Sequence, residues 1–241
     1  GVPAALAMYT HDPDRDLVSR RLVEDRRWEP FETSLWLAAQ RPGDVVVDAG
    51  ANLGYFTLLS ALAEAPPSAI YAFEPAADNV ALLRANLDLN GCADRVELVH
   101  GALAEEAGAG TLWRSEANGG DHQIYRGDGD RDGESIRLLC GDEFLGPRVG
   151  HIDLLKVDTQ GSEVAVLRGL WPLLVRSRER LRLLIELTPY SLRIAGASGR
   201  ELVGALAELD LPLSIVDHVA HRSVPIGSAA LAEWSDNVEA T

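Results

Sequence analysis

The sequence has few of the residues on which several classes of protein depend. It contains a single lysine, Lys156, and two cysteines, Cys92 and Cys140. Two cysteines are too few for a disulfide scaffold or a cysteine-based zinc site, and they are typical of a protein in the reducing cytoplasm. No apolar run approaches the roughly 18 residues of a membrane-spanning helix, and the first residues do not have the pattern of a secretion signal. We therefore expect a cytoplasmic protein with no membrane partner.

Positive charge is also scarce. The chain has 22 basic residues against 37 acidic ones, which gives a net charge of −15. A protein with this balance repels the phosphates of nucleic acids, so we expect no nucleic-acid partner. Hydrophobic residues make up 46% of the 241 residues, which is enough to bury a large core. The composition therefore favours a globular protein and excludes intrinsic disorder as a description of the whole chain.

Apolar residues alternate between strand and helix spacing along most of the chain. Val45–Val47 is a β-branched run without polar alternation, which is typical of a strand covered on both faces. Strands are predicted at Val45–Val47, Ala69–Phe73, Val96–Val99, Ile152–Val157 and Leu181–Leu187, and helices at Tyr55–Ala65, Asp78–Leu89, Glu163–Leu174 and Arg200–Leu209. This order predicts an α/β fold with a parallel sheet between two layers of helices. Two closing runs, Leu213–Val216 and His221–Ile226, predict an antiparallel hairpin at one edge.

Two regions depart from this rhythm. Residues 1–40 have helical spacing at Leu17–Val23 and again at Phe31–Gln40, so they form a helical lead-in to a main domain of residues 41–241. Amphipathic helices of this kind are candidates to pair two subunits. Around 111–139, two short strands are joined by a polar segment that is too long for a simple turn. We interpret it as a hairpin or loop insertion, because long loops in compact domains are often binding loops or lids.

A cofactor signal follows the first strand. The segment 48–54, D-A-G-A-N-L-G, leaves the strand and opens a helix. Glycines in such a turn let the backbone pass close to a ligand, and the start of the helix offers free N–H groups. Glu74 ends the second strand, where an acid suits the two ribose hydroxyls of a nucleoside. The pattern predicts a nucleoside cofactor at this end of the sheet.

The charge of the turn distinguishes between nucleoside cofactors. A dinucleotide-binding turn reads G-x-G-x-x-G, whereas this turn begins with the carboxylate of Asp48. A carboxylate is repelled by a pyrophosphate but attracted by the ammonium and sulfonium groups of S-adenosylmethionine. The phosphate-binding pattern G-x-x-x-x-G-K-[ST] is not in the sequence either. We therefore expect S-adenosylmethionine rather than a dinucleotide or a nucleoside triphosphate.

Three blocks of the sequence resemble the FkbM family of S-adenosylmethionine-dependent methyltransferases. The first is V-V-V-D-A-G-A-N-L-G-Y-F-T at 45–57, and the second is Y-A-F-E-P at 71–75 together with Asn79. Both are typical of class I methyltransferases in general. The third, I-D-L-L-K-V-D-T-Q-G-S-E at 152–163, contains the K-x-D-x-x-G-x-E pattern that is specific to this family. The likeness extends from about Glu29 to about Pro189 and is loose at 1–28 and 114–135.

The resemblance implies a fold and a reaction. The fold is a Rossmann-like three-layer sandwich with a mostly parallel seven-stranded sheet whose last strand is antiparallel. Residues 41–241 would bind S-adenosylmethionine, and residues 1–40 would cap the acceptor site. The reaction is methyl transfer, usually to a hydroxyl, so the expected acceptor is a small polar molecule such as a sugar or a natural-product intermediate. N-methylation of an amine or peptide, and a non-catalytic cofactor-binding scaffold, are the alternatives.

The resemblance also implies a set of cofactor-binding residues. They are Asp48, Gly50, Asn52 and Gly54 around the methionine part, Glu74 on the ribose, His100, Gly101 and Ala102 near the adenine, and Asp158 beside the methyl group, with Tyr55, Pro75 and Asn79 in the same blocks.

An alcohol must lose a proton as it is methylated, so we expect a general base. Asp158 ends an apolar strand, and burial there predicts a raised pKa for its carboxyl group; alternatively it only binds cofactor or caps a helix. Lys156 shares its face of the strand, and its alternative role is a structural ion pair with Asp158 or Glu186. His122 lies on a glycine-bearing loop and is either a base or simply solvated. Glu186 is the fourth candidate.

Metal binding is the remaining question. Asp158 and Glu186 end adjacent predicted strands, as the carboxylates of a Mg²⁺ site do, but Leu187 stands where such sites place an asparagine. The acidic turn at 128–133 resembles the start of a calcium loop, yet its last ligand position holds Leu139 instead of a glutamate. The sequence therefore favours S-adenosylmethionine without a metal, with Mg²⁺ at Asp158 and Glu186 as the alternative.

Overall fold

The computed structural model describes residues 6–113, 123–124 and 133–239. The helices are α1 (Leu17–Asp25), α2 (Pro30–Ala39), α3 (Tyr55–Ala61), α4 (Ala77–Leu89), α5 (Gly141–Leu145), α6 (Glu163–Ser177), α7 (Pro189–Ile194), α8 (Gly199–Glu208) and α9 (Ser228–Glu239). The strands are β1 (Val45–Ala49), β2 (Ala69–Glu74), β3 (Val96–His100), β4 (Ala102–Ala104), β5 (Gly108–Trp113), β6 (Gly133–Cys140), β7 (Leu154–Val157), β8 (Arg182–Ile185), β9 (Leu213–Asp217) and β10 (Arg222–Ile226).

Five strands form the main sheet in the order β3-β2-β1-β7-β8, and all of its pairs are parallel. The strand order changes direction at β1. From β1 the chain continues to β2 and β3 on one side, and it later returns to add β7 and β8 on the other side. In open α/β sheets, ligands bind at the carboxyl ends of the strands near such a reversal. The topology therefore puts the segment 48–54 at the expected ligand position.

Helices cover both faces of this sheet. Val45 and Val47 of β1 face a core cluster with apolar side chains of α6 and α8, whereas Val46 faces a second cluster with Trp36 of α2 and Leu58 of α3. A strand buried on both faces needs apolar side chains at every position, which explains the run without polar alternation. The three-layer α/β arrangement predicted from the sequence is confirmed.

The predicted seven-stranded sheet is wrong for the residues that the structure describes. The main sheet has five strands, and β9 and β10 pair antiparallel with each other in a separate two-stranded sheet. The expected antiparallel last strand, β10, pairs with β9 and not with the main sheet. Pro225 lies in β10 and has no N–H to donate, which confines such a strand to an edge.

The insertion forms a small sheet beside the main one. β6 pairs antiparallel with β5, as the sequence predicted, and also parallel with the short strand β4, which was not predicted. Gly169 of α6 allows this sheet to pack closely, because a Cβ there would lie 2.0 Å from the carbonyl oxygen of Ala104. Within the described ranges, no helix is both long and apolar enough to span a bilayer.

Candidate functional site

A cavity of about 270 Å³ opens at the carboxyl ends of β1, β2, β7 and β8. The parts of the fold that contribute to its wall include α1, the turn before α2, the segment after β1 and the insertion. The lining residues are Val18, Leu22, Trp28, Glu29, Gly50, Ala51, Asn52, Leu53, Tyr55, Phe56, Phe73, Glu74, Pro75, Ala102, Leu103, Leu112, Ile124, Lys156, Asp158, Thr159, Gln160, Ser162 and Glu186. Most of the predicted site residues therefore meet in one place.

The two glycines of the turn after β1 have left-handed backbones, with φ of 84° at Gly50 and 89° at Gly54. A Cβ at Gly50 would lie 1.9 Å from the carbonyl oxygen of Asp158, and one at Gly54 would lie 2.0 Å from Cδ1 of Leu83. Both positions need glycine for backbone conformation and close packing. Gly50 lines the cavity, whereas Gly54 supports the turn from behind.

Asp48 lies beneath the turn and does not line the cavity. The hydroxyl of Thr57 donates to its Oδ2 at 2.6 Å, and Lys156 is its register partner on β7. Its Oδ1 has no hydrogen-bond partner among the described residues. Burial raises the pKa of this carboxyl group, although the charge of Lys156 opposes the rise. Asp48 therefore lies behind the turn and opposite Lys156, and the contact with the methionine part that the resemblance implies stays a prediction.

Glu74 is buried, and it lines the cavity at the end of β2. Its carboxylate accepts hydrogen bonds from the N–H groups of Asn52 (2.8 Å) and Ala76 (2.9 Å) and from Nδ2 of Asn79 (3.3 Å). Burial nevertheless raises its pKa to about 7, because these donors compensate only part of the lost hydration. The fold thus holds this carboxyl group in a fixed orientation towards the cavity.

Asn79 connects Glu74 to the N-terminus of the described chain. Nε2 of His11 lies 2.8 Å from Oδ1 of Asn79. Because Nδ2 of Asn79 donates to Glu74, its Oδ1 must accept, so the His11 nitrogen is the donor. Asn79 therefore supports the predicted ribose acid and does not line the cavity. His11, which the sequence analysis left without a role, belongs to the same chain of hydrogen bonds.

His11 is held in place by the segment that precedes it. We call residues 6–11 the N-terminal strap, which runs along α4. Nδ2 of Asn90 donates to the carbonyl of Ala7 at 2.7 Å, and Nδ2 of Asn86 donates to that of Tyr9 at 3.1 Å. The N–H groups of Ala7 and Tyr9 donate back to the same two side chains at 3.2 and 2.6 Å. Each asparagine therefore pairs with the strap as a neighbouring strand would.

The predicted adenine segment is divided by the structure. Ala102 lines the cavity together with Leu103. His100 is exposed, and its Nε2 lies 3.1 Å from the carbonyl oxygen of Pro75, while Gly101 bonds back to the carbonyl of Glu74 at 3.0 Å. The apolar side chains of Leu112 and Ile124 from the insertion complete this wall. The result is a largely apolar slot beside Glu74.

Lys156, Asp158 and Glu186 lie together on the opposite side of the cavity. Nζ of Lys156 donates to Oδ2 of Asp158 at 2.7 Å and lies 4.7 Å from the centre of the Phe56 ring. Nε2 of Gln160 bridges the two acids, at 2.9 Å from Oδ1 of Asp158 and 2.7 Å from Oε2 of Glu186. The ion pair with Asp158, which the sequence analysis offered as an alternative role for Lys156, is therefore present.

The predicted rise in the pKa of Asp158 is wrong. Burial does raise it, but the charge and hydrogen bond of Lys156 outweigh burial, so the pKa of Asp158 lies below its usual range. Burial and the neighbouring charge of Asp158 raise the pKa of Glu186 to about 8, and the two carboxyl groups share a hydrogen bond. The proton of this pair therefore stays on Glu186 near neutral pH, with Lys156 charged and Asp158 ionised.

Glu163, the last residue of the K-x-D-x-x-G-x-E pattern, has a structural role. Its Oε1 accepts hydrogen bonds from the N–H of Thr159 at 3.0 Å and from its hydroxyl at 3.1 Å, and the N–H of Gly161 donates to both carboxylate oxygens. Gln160, inside this turn, has a positive φ of 52°. The pattern thus builds a strained turn that directs Gln160 towards the two acids.

Two further observations concern the remaining predictions. His122 lies outside the described residues. In the part of the chain that the structure describes, no three histidine, cysteine or acidic side chains converge as a metal site would require. The cavity wall also includes Trp28 and Glu29, from the segment 1–40 that is expected to cap the acceptor site, although the sequence analysis gave Glu29 no role.

Comparison with known proteins identifies the family. Residues 48–206, more than half of the chain, match the Methyltransferase FkbM domain. The chain belongs to the FkbM methyltransferase family. Membership of this family agrees with the predicted methyltransferase activity and with S-adenosylmethionine as the expected methyl donor.

Individual relatives are similar over parts of their length. The chain is 48% identical to 31-O-demethyl-FK506 methyltransferase FkbM of Streptomyces tacrolimicus over 68 residues, which are 28% of this chain and 25% of the relative. It is 30% identical to Methyltransferase 1 of Beauveria bassiana (strain ARSEF 2860) over 178 residues, 61% of this chain and 67% of that one. The crystal structure of methyltransferase FkbM from Methylobacillus flagellatus KT matches with 16% identity and a TM-score of 0.42, covering 67% of this chain and 44% of that one.

The residues of the cavity fit the cofactor of the FkbM family. The carboxyl group of Glu74 can accept hydrogen bonds from hydroxyls, and the adjoining slot beside Ala102 has the apolar walls that a flat base requires. Asp158 supplies the negative charge that suits a sulfonium and an ammonium group. One end of the cavity thus has the chemistry of a nucleoside site, and the other end has that of a charged group.

Proposed function

We propose that this methyltransferase transfers a methyl group from S-adenosylmethionine to a hydroxyl of a small polar molecule, such as a sugar or a natural-product intermediate. The observation that supports this most is the continuity of the cavity. It extends from Glu74 and Ala102 to Trp28, Glu29 and Lys156, so a nucleoside and an acceptor can share one space. The name of the Streptomyces relative, which specifies methylation at an oxygen, supports a hydroxyl as the acceptor.

In this proposal the protein mainly aligns two reactants and excludes water. S-adenosylmethionine supplies an activated methyl group, so the chain need not activate the donor. Glu74 binds the ribose hydroxyls, and the apolar slot beside Ala102 holds the adenine. Lys156, Asp158 and Gln160 form a fixed network that positions the acceptor oxygen in line with the methyl group. Glu186 keeps its proton near neutral pH and donates it to that network.

N-methylation is the second candidate, and the charge of the cavity favours it. Lys156 is the one basic side chain among the described residues that line the cavity, against Glu29, Glu74, Asp158 and Glu186. An excess of acids attracts a cationic amine. Both acceptors must give up a proton, an ammonium before its nitrogen can attack the methyl carbon and an alcohol as the new bond forms. The ammonium also needs a charge partner in the ground state, which the alcohol does not.

The proposal is tested in two stages. Calorimetric titration with S-adenosylhomocysteine, with and without Mg²⁺, should show binding that does not depend on the metal. Hydroxylated sugars and alcohols of the polyketide type are then compared with amines as acceptors, and methylated products are detected by mass spectrometry. Methylation of alcohols supports the proposal, and methylation confined to amines supports the second candidate. Turnover that requires Mg²⁺ would move Asp158 and Glu186 into a metal site.

A further inference from the structure

We propose that Glu29, in the turn between α1 and α2, is the general base that takes the proton from the acceptor hydroxyl. This inference rests on the proposed O-methyl transfer. It adds a catalytic residue from the N-terminal segment, outside the blocks that carry the family resemblance. Three features of the cavity support this role: the way the turn is held, the unpaired carboxylate of Glu29 and the state of the other acids.

The turn that carries Glu29 is fixed from below by Thr33. The N–H of Thr33 donates to the carbonyl oxygen of Glu29 at 2.8 Å, and its buried hydroxyl donates to that of Trp28 at 2.6 Å. Pro30 follows at the first position of α2 and restricts the backbone further. The Thr33 side chain and backbone groups therefore hold the turn without the Glu29 side chain, which lines the cavity next to Trp28.

The Glu29 side chain makes no contribution to folding that we can identify. It stands at the N-cap of α2 but makes no capping hydrogen bond, and no hydrogen bond or ion pair connects its carboxylate to another described residue. Its backbone has a positive φ of 41°, which is costly for a residue with a side chain. Three of the six non-glycine residues with positive φ in the described chain, Glu29, Asn52 and Gln160, line this one cavity. Strain of this kind concentrates at functional sites.

The other acids of the cavity are engaged. Asp158 is paired with Lys156 and has a lowered pKa, which makes it a weak base. Glu186 already has a proton near neutral pH, since its pKa is about 8. Glu74 lies at the nucleoside end and accepts three hydrogen bonds from the protein. Of the lining carboxylates that the structure describes, Glu29 alone is unpaired.

The surroundings of Glu29 suit a base that works near neutral pH. Burial raises its pKa to about 7. The charged groups that face it are Lys156, which lowers the pKa, Asp158 and Glu32, which raise it, and His218 from the turn after β9, which lowers it when protonated. A general base is most effective when its pKa lies near the working pH.

The step balances with the methyl donor that the family uses. The acceptor oxygen forms a bond to the methyl carbon, the carbon–sulfur bond breaks, and its electron pair stays on the sulfur. The hydroxyl proton moves to the carboxylate of Glu29, which becomes a neutral acid. A positive sulfonium and a negative carboxylate are thus replaced by a neutral thioether and a neutral carboxyl group, and no other reactant is needed.

The test compares two cofactor analogues that need no acceptor. S-adenosylhomocysteine has no methyl group, whereas sinefungin has a charged amino group in place of the methylated sulfur. A carboxylate within about 4–6 Å favours a cation by roughly tenfold or more. The affinity for sinefungin divided by the affinity for S-adenosylhomocysteine should therefore fall about tenfold at pH 8 in Glu29→Gln. The affinity for S-adenosylhomocysteine itself should be unchanged. Because both affinities are measured on the same protein, a partly unfolded fraction does not affect the ratio.

Glu24→Gln is the matched control, since Glu24 is an exposed glutamate on α1 outside the cavity. Its ratio of affinities should equal that of the wild type.

In the wild type, the preference for sinefungin should also strengthen as pH rises through about 7. With the alcohol found in the acceptor screen, kcat of Glu29→Gln should fall about 100-fold. Equal ratios in Glu29→Gln and Glu24→Gln overturn the role of Glu29 and leave the proposed function intact. A wild-type protein that does not bind S-adenosylhomocysteine overturns the proposed function and this inference with it.

Discussion

The two ends of the main sheet treat their buried acids in opposite ways. At the amino end, Asp44 is paired with Arg182 at 2.7 Å, and Asp153 accepts from the N–H of Val45 at 2.8 Å and pairs with Arg180. These donors outweigh burial, so the pKa of Asp153 lies below its usual value. At the carboxyl end, burial raises the pKa of Glu29, Glu74 and Glu186 to between about 7 and 8.

The difference separates acids that stabilise the fold from acids that await a ligand. A buried carboxylate normally costs stability unless it is paired, and the amino end supplies an arginine for each of its two acids. The carboxyl end has Lys156 as its one basic lining residue in the described chain, and that lysine is committed to Asp158. The surplus negative charge there has no folding purpose that we can identify, and it matches a positively charged cofactor.

Removal of Lys156 should change the free energy of unfolding more than any other test of this difference between the two ends. Lys156→Met leaves Asp158 and Asp48 as buried carboxylates without their cation. We expect the free energy of unfolding in urea to fall by about 3–5 kcal/mol at pH 8, and by less at pH 5.5, where these acids can take up protons. Arg176→Met, which removes an exposed ion pair with Asp142, is the control and should cost less than about 1 kcal/mol. Equal losses for the two variants would contradict the account.

The pH dependence of stability should be the next largest effect. A carboxyl group whose pKa is raised in the folded state stabilises the fold below its unfolded pKa of about 4.5, and this stabilisation is lost as pH rises through the folded value. For Glu74, buried with a pKa of about 7, the loss amounts to roughly 3 kcal/mol. The melting temperature without ligand should therefore fall from pH 5 to pH 8. A rise over this range would show that the carboxyl-end acids are paired.

At the amino end, we predict that Asp153 makes stability change with pH in the opposite direction. Its pKa is lowered by folding, so its stabilisation is present above about pH 4 and disappears as pH falls through the folded value. Asp153→Asn should reduce the free energy of unfolding by about 2 kcal/mol at pH 7, because charged hydrogen bonds to Val45 and Arg180 are lost. The difference from wild type should shrink near pH 3. A difference that is independent of pH would contradict the assignment.

The smallest predicted effect concerns the N-terminal strap. His11→Ala removes the donor that orients Asn79 towards Glu74, and one hydrogen bond is worth about 0.5–1.5 kcal/mol. Affinity for S-adenosylhomocysteine should weaken by about threefold. Asn90→Ala removes the anchor at Ala7 but keeps the anchor of Tyr9 on Asn86 and the His11 side chain, so its affinity should fall by less than that of His11→Ala. If both variants bind equally, His11 has no positioning role.

Much of the fold could be predicted from the sequence because the signals are local. The buried run at 45–47 and the alternation of strands with helices are properties of neighbouring residues, and β1 to β3, β7 and β8 appear where they predict strands. The arrangement of β9 and β10 could not be predicted in this way. Whether a hairpin joins a sheet depends on long-range packing, and Pro225 was the one local sign against it. Helices α5, α7 and α9 lack a strong apolar period and were not predicted.

The candidate site also has a part that could be predicted from the sequence and a part that could not. The residues of the three motif blocks meet at one cavity, since the carboxyl ends of parallel strands share an edge. The protonation state of Asp158 could not be predicted, because its pKa depends on the 2.7 Å contact with Lys156 and not on burial alone. Glu29 and His11 also escaped prediction. Their positions follow from how the N-terminal segment packs on α3 and α4, and no spacing in the sequence encodes that.

Ligand binding at the carboxyl end of the sheet is tested most directly by calorimetric titration of S-adenosylhomocysteine into wild type, Glu74→Gln and Asp153→Asn at pH 7.5. Glutamine has the shape of the protonated carboxyl group that the fold already accepts at position 74, so folding should be retained. We predict that Glu74→Gln binds at least about tenfold more weakly, while Asp153→Asn is less stable yet binds within about twofold of the wild type. Unchanged affinity in Glu74→Gln, or an equal loss in Asp153→Asn, would contradict the division of the sheet into a folding end and a ligand end.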